Sequence, residues 1–169
     1  MIIETKRLVL RELKATDKDS LYKVLADSDI MKHYPYTFDE KRVKKWIAKN
    51  VERYSVFGFG LWAVCLKESG ELIGDCGLTM QMIDGSILPE IGYHIRGDMQ
   101  RKGYAAEAAK AVRDWTFKNT PFEKVYSYMS ADNIPSQKTA MSYGAVFEKE
   151  YKDETGEIIQ VFVLSKDKD

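Results

Sequence analysis

Two cysteines and two histidines in 169 residues leave little room for the chemistry those side chains usually carry. Cys65 and Cys76 make neither a disulfide framework nor a thiolate metal site, and both fall in apolar, strand-like segments that suit a small buried thiol. His33 and His94 lie far apart, and no His-Glu-x-x-His run is present, so no metal is expected. There is no Gly-x-x-x-x-Gly-Lys-Ser/Thr loop, and Phe57-Gly58-Phe59-Gly60 lacks the third glycine of a dinucleotide fingerprint. No apolar run approaches the roughly 18 residues that suggest a bilayer-spanning helix. The start, Met1-Ile2-Ile3-Glu4-Thr5, lacks the basic and apolar regions of a signal peptide, which predicts a soluble, cytoplasmic protein with no membrane partner. A surplus of either charge is also missing: 26 Lys and Arg balance 26 Asp and Glu. Binding to a phosphate backbone needs a basic surplus or stripe, so no nucleic-acid partner is expected.

What is present is an ordinary globular composition, 44% hydrophobic, 31% charged and 12% aromatic. A chain of this length can bury roughly two-thirds of its unfolded surface without metal or disulfide staples. One domain over residues 1–169 is expected. Lys6 to Leu13 alternates as a strand, and Asp17 is placed to cap a helix through Leu21, Val24 and Leu25. After the aromatic run His33-Tyr34-Pro35-Tyr36-Thr37-Phe38, Asp39 is a second N-cap, with Val43, Trp46, Ile47 and Val51 on one helical face. Leu61 to Leu66 and Leu72 to Met80 flank Lys67–Glu71 as an antiparallel hairpin, and Pro89 to Ile95 follows the Asp84-Gly85 turn. Ala105, Ala108, Ala109 and Val112 give a helix over about 103–118 whose small residues permit close packing on a sheet. A strand at Lys124 to Met129, a helix begun by Asn133 and ended near Gly144, and two strands around Glu154-Thr155-Gly156 complete the order. The expectation is a single α+β domain with a mixed, mostly antiparallel sheet of about seven strands and about four helices.

One run stands out, Gln100-Arg101-Lys102-Gly103-Tyr104-Ala105, between a strand and a helix. Unpaired amides and the dipole at a helix N-terminus favour an anion, and glycine lets a phosphate approach the main chain. Together with Glu90-Ile91-Gly92-Tyr93-His94-Ile95 before it, this run resembles the acetyl-CoA motif of the GNAT superfamily of N-acetyltransferases, a Gln/Arg-x-x-Gly-x-Gly/Ala turn filled here by Gln100, Gly103 and Ala105. Asn133-Ile-Pro-Ser136 leading to Tyr143-Gly144, and the opening Glu4-Thr5-Lys6-Arg7-Leu8, resemble the branch of ribosomal-protein N-terminal acetyltransferases of the Rim type. The likeness spans about residues 4–164 and matches the element order.

The resemblance implies acetyl-CoA as cosubstrate, and a primary amine as acceptor. In the family two strands, here ending near Ile95 and Met129, splay apart and admit the pantetheine arm. That arm would pair with backbone groups of Tyr93, His94 and Ile95, as an added strand does at a sheet edge. Amides of Arg101, Lys102, Gly103, Tyr104 and Ala105 would hold the pyrophosphate, and Asn133 the arm. Arg96, Arg101, Lys102 and Lys138 are candidates for the ribose phosphate.

Acetyl transfer needs a neutral amine and a proton for the departing thiolate. Glu90 is the expected base, with Asp75 as the alternative carboxylate and His94 as a further titratable group. Many relatives carry a tyrosine four residues before the glycine that ends the last helix. This chain has Ala140 there. In the Rim-type branch the serine of Asn-x-x-Ser faces the sulfur, so Ser136 is the expected donor or sulfur-binding hydroxyl, its other reading being a first-turn cap; Tyr143 is read as packing. Tyr34, Tyr36 and Phe38 are expected to line an acceptor groove opposite the Met80–Leu88 loop. The scarcity of acids there disfavours a polycation, and an α-amine, with a pKa of about 7.7–8.0 against about 10.4 for lysine, suits a modest base. The alternatives are a small-molecule amine acceptor, a cofactor-holding sensor without catalysis, and an interaction domain using the aromatic loop. Either a monomer or a homodimer is compatible with the sequence.

Overall fold

The alternation of buried and half-buried residues in Leu8-Val9-Leu10-Arg11 sets the first pairings of the sheet in the computed structural model, which describes residues 2–167. Met1 and the last two residues of the Lys166–Asp169 end, and with them the limits of the expected 1–169 domain, lie outside the described residues. Strand β1 (Ile3–Glu4) turns through Thr5–Arg7 into β2 (Leu8–Arg11), which pairs with β3 (Leu61–Leu66). Between them run α1 (Lys18–Leu25), α2 (Ser28–Met31) and α3 (Glu40–Phe57). Then β4 (Leu72–Ile83) and β5 (Ser86–Ile95) form a long hairpin, followed by α4 (Tyr104–Asn119), β6 (Lys124–Ser130), α5 (Ile134–Ser142), β7 (Val146–Lys152) and β8 (Ile158–Ser165).

The eight strands lie in the order β1-β2-β3-β4-β5-β6-β8-β7, all neighbours antiparallel except β5 and β6. The α+β, mixed-sheet reading therefore holds, with eight strands and five helices among the described residues. The two extra elements, β1 and α2, are two and four residues long, too short to carry a hydrophobic period.

Two cores lie on opposite faces. On one, α4 sets Ala108, Ala109 and Val112, all fully buried, against Leu78, Ile91 and Trp62. On the other, α1 and α3 bury Leu21, Val24, Leu25, Val43 and Ile47 with Leu13 and Phe38. Each large side chain so buried contributes about 1.5–3 kcal/mol. Cys76 belongs to the first core and Cys65 to the second, both as free thiols.

Local chemistry fixes the ends. Asp39 caps α3 by accepting from the Arg42 amide at 2.8 Å, and Gly58 closes it in a left-handed conformation. Asp84 and Gly85 take φ of 46° and 80°, the two-positive turn that suits the twist of a tight hairpin. Two expectations are corrected. Asp17 precedes α1 but makes no side-chain cap to it; its carboxylate instead takes Arg11 at 2.8 and 2.9 Å and the Lys14 amide at 2.8 Å. Val51 is 46% exposed, because the buried stripe of α3 passes through Asn50 instead.

Candidate active site

The turn ahead of α4 has a special backbone. A single turn of 3-10 helix, Gly97–Met99, leads out of β5, and the Gln100 side-chain amide donates to the Ile95 carbonyl at 2.9 Å. Arg101 and Gly103 then adopt φ of 61° and 82°. Both residues stand at the N-terminus of a 16-residue helix, whose first N–H groups have no intrahelical partner and no side-chain cap, the backbone setting that favours an anion. Arg101 and Lys102 are exposed, while Tyr104 and Ala105 begin the helix half-buried.

The turn is braced from the far end of the sequence. Arg7 donates from Nη1 to the Lys102 carbonyl at 2.9 Å and from Nε to Glu107 at 2.6 Å, with its guanidinium 4.3 Å from the centre of the Tyr104 ring. Glu107 also accepts from the Thr5 hydroxyl at 2.7 Å and the Arg7 amide at 2.8 Å. Burial opposes its charge, but these hydrogen bonds outweigh burial and hold the carboxyl below its ordinary value. A Cβ on Gly103 would stand 3.3 Å from Arg7 Nη2. Of the other cations considered for a phosphate, Arg96 is ion-paired with Asp98 at 2.5 Å and Glu71 at 3.0 Å, whereas Lys138 is exposed.

Beside this turn the parallel strands separate. Glu90 and Tyr126 are the sole register pair between β5 and β6 among the described residues. Across the gap, the Tyr93 hydroxyl donates to the Ser136 carbonyl at 2.6 Å and receives the Ser136 Oγ–H at 3.2 Å. Asn133 performs the capping of α5, its Oδ1 accepting from the Ser136 amide at 3.3 Å, so the Ser136 hydroxyl is not a cap. Burial pushes the Tyr93 phenol well up. Ala140 is fully buried, and Tyr143 is packed beside it with its hydroxyl 2.8 Å from Ser127, which in turn donates to the Ile91 carbonyl at 2.7 Å.

The opposite face of the β4–β5 hairpin carries the titratable groups. Register places Asp75 across from His94, Gly77 across from Gly92, and Thr79 across from Glu90. The two glycines thus leave a side-chain-free stretch between two polar pairs. Gly77 admits no side chain, since its Cβ would fall 2.0 Å from the Gly60 carbonyl oxygen, and the Glu90 carboxylate folds over Gly92, 3.1 Å from where a Cβ would be. Glu90 is recessed but not sealed, and Thr79 Oγ1 donates to it at 3.1 Å. Burial raises its carboxyl to about 7, against the opposing pull of Thr79, His94 and Arg53. Asp75 is fully buried and accepts from Trp46 Nε1 at 2.9 Å and from His94 Nδ1 at 2.7 Å. His94 Nε2 lies 2.8 Å from the Tyr34 hydroxyl. Burial works against the imidazolium, yet Asp75 and Glu90 carry the His94 value upward.

The residues expected from the sequence therefore divide between two faces. Gln100 to Ala105, Tyr93, Asn133 and Ser136 gather around the strand gap, and Glu90, His94 and Tyr34 around the glycine floor. Tyr36 is half-buried under the Arg42 guanidinium, 3.9 Å from its ring centre. Phe38 is only 3% exposed and packs in the second core behind Tyr34, at 4.9 Å between ring centres. Arg7, Trp46, Arg53, Thr79 and Glu107 were not singled out in the sequence; a first-turn acid at Glu107 is the sole local sign among them. Among the described residues no group of three or more His, Cys, Asp or Glu could hold a metal, and no helix is long and apolar enough to cross a membrane.

Known proteins share this fold. The family model for the acetyltransferase (GNAT) domain matches residues 7–146. A Bacillus subtilis protein, YkkB, is 31% identical over 146 residues, covering 86% of this chain and 85% of its own, and the N-acetyltransferase YnaD of the same organism is 31% identical over 149 residues, covering 85% and 82%. The GNAT acetyltransferase of Bacillus anthracis superposes with a TM-score of 0.82 at 24% identity over 96% of this chain and 97% of that one. RimL, a ribosomal α-N-protein acetyltransferase solved with coenzyme A, has the same fold at a TM-score of 0.79 and 15% identity over 97% of each chain. Eight strands in GNAT order, a glycine turn before α4 and a parted β5–β6 pair accompany a family match over residues 7–146, and the chain belongs to the GNAT family of acetyltransferases.

Proposed function

We propose that this acetyltransferase moves the acetyl group of acetyl-CoA to a primary amine, the α-amine of a peptide or protein N-terminus being the best-fitting class, by direct attack with both substrates bound. The observation that carries the reading is Glu90: a recessed carboxyl with a value of about 7, over a side-chain-free floor and next to the parting of β5 and β6.

The residues present suit acetyl-CoA. The amides from Arg101 to Ala105 would hold the pyrophosphate, the open edge of β5 at Tyr93 to Ile95 would receive the extended arm, and Asn133 and Ser136 would flank it. When bound, that cosubstrate supplies the activated acyl group, so the protein's work is to place the amine and manage protons. Glu90 takes the ammonium proton. A base of about 7 removes a proton from an α-ammonium of about 7.7–8.0 at a cost of about 1 kcal/mol, whereas a lysine of about 10.4 costs about 4–5 kcal/mol. Ser136, hydrogen-bonded to Tyr93, offers its hydroxyl to the sulfur as negative charge develops there. Arg53, which bears on Glu90 from α3, steadies the carboxylate form.

The test is an acceptor screen with purified protein and acetyl-CoA, read by free thiol and by product mass, against peptides with varied N-terminal residues, amino acids, polyamines and aminoglycosides. Acetylation at peptide N-termini is expected. Transfer to polyamines or aminoglycosides alone would overturn the acceptor class, and no transfer to any amine would overturn the catalytic reading in favour of a cofactor sensor.

A further inference from the structure

We propose that Tyr34, His94, Asp75 and Trp46 form a second proton carrier beside Glu90, with the Tyr34 hydroxyl meeting the acceptor nitrogen; this rests on the amine-acetylation reading above. The donors set the direction of the chain. An indole N–H can only donate, so Asp75 Oδ2 accepts from Trp46, and Asp75 Oδ1 accepts from His94 Nδ1–H. That fixes the tautomer: His94 Nε2 carries the lone pair and takes the Tyr34 O–H, leaving the Tyr34 oxygen free to accept from a ligand.

Position separates this chain from ordinary core satisfaction. Asp75 anchors it, fully buried, while Trp46, His94 and Tyr34 are only half-buried. His94 and Glu90 share one face of β5, four residues and about 13 Å of strand apart. Between them on that face lies only Gly92, whose cross-strand partner is Gly77, so no side chain of either strand stands between the two groups. The groups facing His94 are Asp75 from β4, Glu90 from its own strand and Tyr34 from the segment ahead of α3; Arg53 from α3 and Tyr128 from β6 bear on Glu90 and Tyr34.

Stoichiometry gives the chain its task. An ammonium group loses two N–H protons on becoming an amide, and one carboxylate holds one. Glu90 takes the first. As the N–C bond forms, the C–S bond breaks and coenzyme A leaves as its thiolate, to be protonated from solvent, while the second proton passes from nitrogen to the Tyr34 oxygen and the Tyr34 proton moves to His94 Nε2. The resulting imidazolium is held by Asp75 and later releases its proton to water. Burial pushes the Tyr34 phenol well above its ordinary value, so it passes a proton on without lingering as phenolate.

The pH dependence distinguishes the two carriers. Below the His94 midpoint the imidazole already holds its proton and the chain is idle, so wild type and Tyr34→Phe converge there and separate above it, by about 10- to 100-fold in kcat. For Glu90→Gln the gap runs the other way, narrowing as the amine arrives neutral. The assay uses acetyl-CoA with the best peptide of the screen, alongside NMR titration of the imidazole in the protein without cosubstrate, where His94 is identified by its loss in His94→Asn. The His94 midpoint should lie above about 6.5 and fall in Asp75→Asn. His94→Asn, which keeps a donor toward Asp75 but removes the Nε2 acceptor, should reproduce the Tyr34→Phe profile. A Tyr34→Phe rate ratio flat across pH, or a His94 midpoint indifferent to Asp75→Asn in a folded variant, overturns the carrier while leaving the acetyltransferase reading intact. No transfer by the wild type overturns both.

Discussion

Replacing Glu90 by glutamine should make the protein more stable in alkaline solution while making it a poorer enzyme. Burial lifts the carboxyl from 4.5 to about 7. At about 1.36 kcal/mol per unit, ionising Glu90 in the folded chain costs up to about 3 kcal/mol, an upper figure because the group keeps some contact with water. The sign follows from proton counts. Between pH 4.5 and about 7 the native state holds a proton that the unfolded chain sheds, so the contribution of this group is fully present below the lower value, falls through the window and is gone above about 7. Glutamine has no such window and can still accept from Thr79. The stability gap between Glu90→Gln and wild type should therefore be small near pH 5, open through neutrality and level off at up to about 3 kcal/mol. For a chain of this size that is at most roughly 6–12 °C in melting temperature. Urea unfolding at about pH 5 and about pH 9, followed by far-UV circular dichroism, measures it. Equal gaps at the two pH values would show that the carboxyl is not held at a raised value, and the base assignment would lose its physical support.

Gly103→Val should abolish most of the melting-temperature rise that acetyl-CoA gives wild type, since a β-branched residue resists φ of 82° and its Cβ would crowd Arg7; equal shifts in a folded variant would refute the anion turn. Ser136→Ala should cost only about 0.5–1.5 kcal/mol, for the single hydroxyl bond to Tyr93, yet lower kcat by roughly ten- to a thousandfold; a normal rate would remove Ser136 from the chemistry. Asn133→Ala should cost about 0.5–2 kcal/mol through the lost cap of α5, checked by denaturant unfolding. Glu107→Gln, by loosening Arg7 from the Lys102 carbonyl, should weaken acetyl-CoA binding about tenfold in calorimetry with kcat nearly unchanged.

Legibility in the sequence followed spacing. The turn before α4 could be read because Gln100 to Ala105 is contiguous, and Asp39 and Asn133 could be read as caps because a cap acts within three residues. Glu90 could be placed on a strand, though β5 begins at Ser86 and sets it mid-strand rather than at the start, and nothing local reveals that Gly92 and Gly77 face each other beside it, for that depends on cross-strand register. Trp46, Asp75, His94 and Tyr34 lie in four separate elements and meet only once α3 and the segment before it lie over the β4–β5 hairpin. Asp75 and His94 were each seen as lone titratable groups, and their pairing was invisible. Val51 misled because repeated steps of four drift around a 3.6-residue helix, so the stripe through Val43 and Ile47 continues at Asn50 rather than at Val51.

The Arg7–Glu107 contact joins positions 100 residues apart. Synthesis runs from the N-terminus, so Arg7 leaves the ribosome long before its partner exists, and the Lys102 carbonyl has nothing to hold it until β1 and β2 have docked beside α4. The shape of the turn thus depends on the N-terminal edge of the sheet being in place, although the residues of the turn itself are contiguous. A nascent or partly unfolded chain would have the turn residues without the bracket, and little hold on acetyl-CoA. Binding of the nucleotide would then serve as a gauge of how completely the N-terminal edge of the sheet has closed.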